Sequence, residues 1–281
     1  MVGGPKRTRF FNSLILQVLL LVMAFLWLIP ILMMLTVSFM PPEQRAPELG
    51  GLIVTRPSLF NYELVFKENP IPRYFLNSLI ITVPSVILVV ALASLAAFAF
   101  SRLKFWGHDF WYYLLLLTLM LPIPTLVIPI FQLAKRFNIY NTYLGLILPY
   151  TALGIPFAIV ILRSFFDRFP REIEDAARLD GCSSLGVFWR IMLPLSGPAL
   201  SVVIIWQFMV SWNEFLLALV TIESNPLKPL TLVPLIYSGP YMARPGAMFA
   251  TLTLITVPVV LVYLFMQRYF VSGMTGGALR E

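Results

Sequence analysis

The chain carries one carboxylate at the end of a long apolar stretch, Glu214, and two polar residues precede it at helical spacing, Gln207 and Ser211. On a helix that advances about 100° per residue, these side chains and Thr221 share an arc of about 80°. An ionisable group in an apolar environment must face protein or water. The polar stripe therefore either lines the path of a polar solute or packs against a companion subunit, and the sequence leaves both alternatives open.

The residues between Ser211 and Glu214 extend this candidate site. Trp212 and Asn213 stand beside the stripe, and Trp206 stands one turn earlier. A tryptophan could stack on a sugar ring, or it could anchor a helix at a membrane interface. We predict a substrate pathway that contains Gln207, Ser211, Trp212, Asn213 and Glu214.

A second candidate site is the charged segment 167–198, DRFPREIEDAARLDGCSSLGVFWRIMLPLSGP. Pro170 suits the first turn of a helix, and Gly181 suits the C-terminal cap of that helix. Ser183 or Ser184 can then cap a second helix, which runs to Pro194. The segment predicts a short surface helix followed by a helix that leads back into apolar sequence.

The first helix of this segment is predicted to have two faces. Ile173, Ala176 and Ala177 form a narrow apolar face, and Glu174 can pair with Arg178 on the other face. Helix, glycine turn and helix also occur in DNA-binding motifs, but the acidic residues would repel phosphates. A solvated linker without a partner is a further alternative, and Cys182 is interpreted as a small space-filling residue.

Motifs of common catalytic sites are missing from the sequence. Glycine is never followed by lysine, so there is no phosphate-binding P-loop. The single histidine excludes an H-E-x-x-H zinc motif, and no G-x-S-x-G occurs. We expect no enzyme activity, no metal site and no cofactor in this chain.

The elements that must position these residues follow from the distribution of charge. Of 281 residues, 59% are hydrophobic and 12% are charged, compared with about 45–50% and 25% in soluble domains. Six intervals without Asp, Glu, Lys or Arg contain 158 residues in total: 10–42, 74–101, 110–134, 137–162, 191–213 and 245–267. Each exceeds the roughly 20 residues of a membrane-spanning helix. This pattern excludes a soluble enzyme and a β-barrel with alternating strands, and it predicts an all-α, polytopic transmembrane helical bundle with six spans.

The predicted boundaries follow the charge-free intervals. The spans are residues 11–39, 75–101, 110–132, 143–166, 197–221 and 246–269, with an external loop at 41–73, a cytoplasmic loop at 167–196 and a cytoplasmic tail at 271–281. Both termini are placed in the cytoplasm, because the inner segments hold 12 of the 20 Lys and Arg residues. The first apolar run is too long for a signal peptide, so we expect a retained helix. Residues 131–144 are too polar to span and predict an external re-entrant turn.

The loop also carries a family resemblance. Permease subunits of bacterial ABC importers carry a loop motif that begins with Glu-Ala-Ala. Three residues separate this triplet from a Gly, nine residues separate the Gly from an Ile, and one residue separates the Ile from Leu-Pro. This chain has Asp175-Ala176-Ala177, Gly181, Ile191, and Leu193-Pro194 at those spacings. Aspartate replaces the family's glutamate, and Glu174 stands beside it.

Four further segments resemble the carbohydrate-uptake permeases, and among them the maltose-type subunit with six spans. They are Asn61-Tyr62, Tyr74-Phe75-x-Asn77-Ser78, Trp212-Asn213-Glu214-Phe215 and the closing QRYFVSGMTGGALRE. The resemblance covers residues 10–281 and implies the type I ABC importer permease fold. It also implies that the loop helix at 170–181 contacts a cytoplasmic ATPase.

The resemblance implies the residues that couple this chain to that ATPase: Glu174, Asp175, Ala176, Ala177, Arg178, Leu179, Asp180, Gly181, Ile191, Leu193 and Pro194. It implies a companion permease subunit in a heterodimer, a cytoplasmic ATPase dimer that uses ATP and Mg²⁺, an extracytoplasmic solute-binding protein and a carbohydrate substrate. No nucleic acid is expected, and the location is a bacterial or archaeal inner membrane. The alternatives are a non-sugar solute such as glycerol phosphate, or a stand-alone secondary transporter that uses Glu214 as its intramembrane carboxylate.

Overall fold

The computed structural model describes residues 5–41, 53–54, 56–239 and 244–278, with the side chains of residues 5–12 and 268–278 excepted. Most of the predicted loop 41–73 before residue 56, and the side chains of the predicted tail 271–281, lie outside the described residues. The helices are α1 (Pro5–Ser38), α2 (Phe60–Glu68), α3 (Ile71–Arg102), α4 (His108–Thr118), α5 (Ile123–Arg136), α6 (Leu144–Asp167), α7 (Arg171–Leu179), α8 (Ser184–Val187), α9 (Leu193–Leu195), α10 (Gly197–Asn213), α11 (Leu216–Thr221), α12 (Val233–Ile236) and α13 (Pro245–Ala278).

Within the described ranges, four helical stretches are long and apolar enough to cross a membrane: Ser13–Ser38, Ile71–Arg102, Leu144–Asp167 and Pro245–Gln267. Two bent pairs also qualify, α4 with α5 at 103° and Ser184–Leu195 with Gly197–Asn213 at 75°. Counting each pair as one span gives six. The prediction of an all-α polytopic membrane protein is confirmed.

The predicted span 110–132 is not one helix. It is divided between α4 and α5, and Pro122 between them is extended with ψ 131°. A proline lacks the N–H that an uninterrupted helix would use, so the chain turns here. The predicted turn at 131–144 is wrong in its first part, because α5 remains helical to Arg136.

The predicted span 197–221 is also interrupted. Helix α10 ends at Asn213, Glu214 is extended with ψ 126°, and α11 begins at Leu216. The Glu214 carboxylate accepts hydrogen bonds from Leu217 N at 2.9 Å and Ala218 N at 3.1 Å. A side chain that satisfies the first N–H groups of a helix starts a new helix there. Thr221 therefore does not continue the helical arc of Gln207 and Ser211.

The chain divides into two compact units, Met1–Pro70 with Val233–Leu254 and Ile71–Leu232 with Ile255–Glu281. In the first unit, the Asn61 amide of α2 donates to the carbonyls of Ser38 and Met40 at 3.1 and 2.7 Å. Tyr62 and Ser38 share a hydroxyl hydrogen bond at 2.8 Å. These bonds hold α2 against the end of α1, so the Asn61-Tyr62 pair has a structural role.

The second unit is built on α3, which packs against α6 and α10. Its core includes buried side chains from these helices and from the loop: Val89, Phe98, Leu162, Phe166, Ala177, Phe188, Met192 and Val203. The loop at 167–196 is therefore anchored in the same core as the membrane helices.

Candidate functional site

Helix α7 has the boundaries and caps that its sequence predicts. It follows Pro170 and ends at Leu179, and Gly181 adopts the left-handed region with φ +85°. Gly181 N donates to Arg178 O at 3.0 Å, and Cys182 N donates to Ala177 O at 2.9 Å. This pair of bonds is the Schellman motif, which favours glycine at the left-handed position.

The second helix of the loop begins with the predicted cap. Ser183 Oγ accepts a hydrogen bond from Gly186 N at 3.2 Å. The helix then widens to π geometry over Phe188–Met192, and Pro194 follows in α9. Ile191, Leu193 and Cys182 are half-buried against the core, so the second part of the motif holds the loop in place and Cys182 fills space.

Glu174 is the most buried charged residue of the loop, with 4% of its surface exposed. Its carboxylate accepts a hydrogen bond at 2.5 Å from Nε of Arg102, the last residue of α3. The same guanidinium donates to the carbonyls of Phe166 at 2.6 Å and Phe169 at 3.2 Å.

The predicted pair of Glu174 with Arg178 is wrong. An exposed pair at helical spacing contributes only a few tenths of a kcal/mol, whereas a desolvated carboxylate requires a full set of donors. Arg102 supplies a charged donor to Oε1 of this carboxylate, and Arg178 remains exposed.

The predicted apolar face of α7 is correct only at Ala177, which is buried beside Glu174. Ile173 and Ala176 are exposed, and Leu179 is 90% exposed. The outward surface of α7 consists of the remaining motif residues, which are Asp175, Ala176, Arg178, Leu179 and Asp180.

The polar side chains of α10 line a groove of about 250 Å³ between α6 and α10. Gln207, Ser211 and Glu214 line it, together with Tyr150 and Gly154 of α6. Trp206 and Phe157 also line the groove, and their rings stack with centroids 4.5 Å apart. Three of the five predicted pathway residues are thus brought together.

Trp212 and Asn213 do not line this groove. Trp212 is 1% exposed, donates from Nε1 to Ile255 O at 2.9 Å, and stacks on Phe208. Asn213 is exposed and donates to Met209 O at 2.8 Å. The structure gives Trp212 a packing role inside the second unit.

Gln207 is 1% exposed, and its amide nitrogen donates to Tyr150 O at 3.1 Å and to Ser211 Oγ at 2.8 Å. Its Oε1 is buried and accepts no hydrogen bond from the residues that the structure describes. Gly154 makes room for this oxygen, since a Cβ at that position would collide with it. A buried acceptor without a donor is costly, so this oxygen is suited to a donor from a ligand or water.

Glu214 bridges α6 and the helix break. Besides the two backbone N–H groups of α11, its carboxylate accepts a hydrogen bond at 2.8 Å from the Tyr150 hydroxyl. The groove therefore combines an amide, a carboxylate and the hydroxyls of Thr118, Tyr150 and Ser211 with an aromatic wall.

A family model described as "Binding-protein-dependent transport system inner membrane component" matches residues 90–276, a range that includes α7 and the groove. The chain belongs to this family. It is an ABC importer permease, which is a transport subunit.

Curated relatives match this permease over most of its length. The arabinooligosaccharides transport system permease protein AraQ of Halalkalibacterium halodurans is 34% identical over 92% of this chain and 92% of that one. The diacetylchitobiose uptake system permease protein NgcG of Streptomyces coelicolor is 35% identical over 78% and 74% of the two chains. The sulfoquinovosyl glycerol transport system permease protein SmoH of Agrobacterium fabrum is 34% identical over 80% and 79%.

A solved structure shares the fold of this permease. It is a chain of a bacterial ABC transporter involved in the import of the acidic polysaccharide alginate. It aligns with a TM-score of 0.80 and 21% identity, over 96% of this chain and 100% of that chain. The predicted permease fold is confirmed.

Sequence reasoning missed three residues of these sites. Arg102 is the first cation after the charge-free interval 74–101. This position is the only feature of the sequence that sets Arg102 apart, and it does not indicate Glu174 as the partner. Tyr150 and Gly154 stand in an apolar span with no pattern that links them to Gln207, because their contacts depend on the packing of α6 against α10.

The Arg102–Glu174 pair predicts unequal effects of removing neighbouring carboxylates. Glu174→Ala leaves a buried guanidinium unpaired and should lower the free energy of unfolding by about 3–5 kcal/mol. Asp175→Ala is the matched control, and we expect a change within about 0.5 kcal/mol, because that side chain is exposed. Denaturant unfolding of the purified permease in detergent measures both.

A double variant separates lost charge from lost packing. Arg102→Met combined with Glu174→Met replaces the pair with apolar side chains and should be more stable than Glu174→Ala, although the carbonyls of Phe166 and Phe169 lose a donor. Equal stability of the Glu174→Ala and Asp175→Ala variants would contradict the assigned pair.

Proposed function

We propose that this permease forms half of the membrane pathway of an ATP-driven importer for a carbohydrate. A companion permease forms the other half, a cytoplasmic ATPase dimer binds and hydrolyses ATP with Mg²⁺, and an extracytoplasmic binding protein delivers the solute. The proposal places the chain in a bacterial or archaeal inner membrane with both termini in the cytoplasm. The relatives AraQ and NgcG, an arabinooligosaccharide permease and a diacetylchitobiose permease, support a carbohydrate as the solute.

The observation that carries this proposal is the attachment of α7 to α3. Glu174 joins α7 to Arg102 at the end of α3. Arg102 in turn donates to the carbonyls of Phe166, in the last turn of α6, and Phe169, just after α6. A displacement of α7 thus acts on two membrane helices at once. In the proposed mechanism, ATP closes the ATPase dimer, α7 moves with it, and α3 and α6 change the opening of the pathway.

The outward face of α7 is the proposed contact with the ATPase. Its acidic residues Asp175 and Asp180 flank the almost fully exposed Leu179. Ile173, Leu185 and Trp189 of the same loop are also large apolar side chains that are exposed. Several exposed apolar side chains on one short segment are typical of a protein interaction site.

The groove between α6 and α10 is the proposed contact with the solute. Gln207 Oε1, which has no donor among the described residues, and the oxygen of the Tyr150 hydroxyl can accept hydrogen bonds from sugar hydroxyls, and Trp206 offers a ring face. Among the lining residues the charged one is a carboxylate, which would repel a phosphate. This favours a neutral sugar over glycerol phosphate.

The Glu214 geometry disfavours the rival secondary transporter. An ion-coupled carrier needs a carboxylate that can bind and release the coupling ion. Both Glu214 oxygens are engaged, Oε2 by Tyr150 and by the N–H groups of α11, and Oε1 by Leu217 N. The carboxylate thus stabilises the helix break.

The docking proposal predicts a selective loss of ATPase binding. Leu179→Asp should leave the permease folded, because Leu179 is 90% exposed, and should weaken ATPase binding about 30-fold if the leucine is an interface anchor. The matched control is Leu59→Asp, an exposed leucine outside the loop. Co-purification with the ATPase measures the effect, and normal binding by the Leu179→Asp permease would remove the docking proposal.

The groove proposal predicts a change in the solute dependence of uptake. Trp206→Ala removes the stacked ring and should raise the KM for the sugar about 2- to 10-fold, and Trp206→Phe should restore most of the loss. Trp106→Ala, which removes a tryptophan that is 90% exposed, serves as the control.

Uptake by the assembled transporter in proteoliposomes gives these values. An unchanged KM in the Trp206→Ala transporter would contradict a role of this groove in solute passage. Uptake by the permease alone, without its ATPase, would contradict the proposed function as a whole.

A further inference from the structure

A second cavity lies beside the C-terminal end of α6, away from the residues of the solute groove. It measures about 420 Å³ and is lined by Tyr112, Val160, Arg163, Ser164, Asp167 and Arg168. Two of these residues are cations and one is an anion, so the lining carries a net positive charge.

The positive charge of the two arginines in this cavity is only partly balanced by Asp167. The Arg163 guanidinium lies 3.8 Å above the ring of Tyr112. Its Nε is buried, has no hydrogen-bond partner within the described part of the chain, and forms a 3.4 Å ion pair with Asp167 Oδ2. The other Asp167 oxygen, Oδ1, already accepts a hydrogen bond from Ser101 at 2.5 Å, and Arg168 is exposed.

The cavity is positioned at a membrane–water boundary. Arg163 and Asp167 lie four residues apart at the C-terminal end of a helix that qualifies as a membrane span. The first two turns of α4, which include Tyr112, expose aromatic side chains at Phe110, Trp111 and Tyr113. Aromatic residues concentrate at the level of the lipid headgroups.

From this combination we propose that the cavity binds the phosphate of an anionic lipid headgroup. Arg163 and Arg168 contact the phosphate oxygens, the Ser164 hydroxyl donates a hydrogen bond, and Tyr112 holds the Arg163 guanidinium flat. Basic pockets at the ends of membrane helices bind such headgroups. The inference requires only that the chain spans a membrane, and not that it transports a sugar.

The test uses the purified full-length permease in nanodiscs of phosphatidylcholine with a varied fraction of phosphatidylglycerol. Native mass spectrometry counts the phosphatidylglycerol molecules that remain bound after release. Arg163→Gln combined with Arg168→Gln should weaken binding of the tightest lipid about 30-fold, because each arginine contributes a several-fold gain at the membrane surface. Arg136→Gln, at the exposed end of α5, is the control and should retain the lipid.

A second variant guards against misfolding of the first. Ser164→Trp fills the cavity and keeps both arginines, so loss of the bound lipid in this variant also supports the site. Retention of phosphatidylglycerol by both variants, at the wild-type affinity, would overturn the proposal.

Two further experiments distinguish a lipid headgroup from free phosphate and from a protein partner. Inorganic phosphate added in detergent without lipid should not protect the permease against thermal unfolding. Equal protection by phosphate and by phosphatidylglycerol would overturn the assignment to a lipid. If the arginine variants retain the lipid but lose the ATPase in a co-purification, the cavity is a protein contact and the lipid proposal fails.

Discussion

A single buried ion pair determines how the loop helix is attached to the membrane helices. A guanidinium and a carboxylate that leave water lose hydration free energy, and their attraction offsets this loss only when further hydrogen bonds satisfy both groups. Arg102 meets this condition through Glu174, Ser101 Oγ and the carbonyls of Phe166 and Phe169. Through these partners, Arg102 links α7 to the end of α3 and to the end of α6.

The same helices carry the groove. Helix α6 supplies Tyr150 and Gly154, and α10 supplies Gln207, so a shift of α6 against α10 changes the groove directly. Gln207 and Gly154 fit closely, and the Tyr150–Glu214 bond links α6 to the start of α11. The helix that lines the groove, α6, thus also contributes to the core in which the loop at 167–196 is anchored.

Much of this arrangement could be predicted from the sequence because it depends on local patterns. The distribution of charge predicts the membrane spans, and the requirement for a left-handed residue predicts the cap at Gly181. The stretch from Gln207 to Glu214 predicts a polar stripe, and the structure brings three of its five residues to one groove.

The remaining features depend on contacts between distant residues. Glu174 was paired with Arg178 in the prediction, because helical spacing reports only neighbours on the same helix, while its real partner lies 72 residues earlier. The break at Glu214 depends on a side chain that competes with the backbone for N–H groups, and an apolar stretch gives no sign of this competition. Gly154 and Tyr150 become part of the site only when α6 packs against α10.

The coupling role of the Arg102–Glu174 pair can be tested directly in an assembled transporter that carries Glu174→Gln. The measured quantity is the number of solute molecules imported per ATP hydrolysed. This change preserves the shape of the side chain and removes its charge, so ATPase binding should persist. We predict that ATP hydrolysis continues while import per ATP falls, because a neutral amide holds the Arg102 guanidinium more weakly than a carboxylate does and α7 then displaces α3 less effectively. An unchanged ratio of import to hydrolysis would contradict the role of the Arg102–Glu174 pair in coupling α7 to α3.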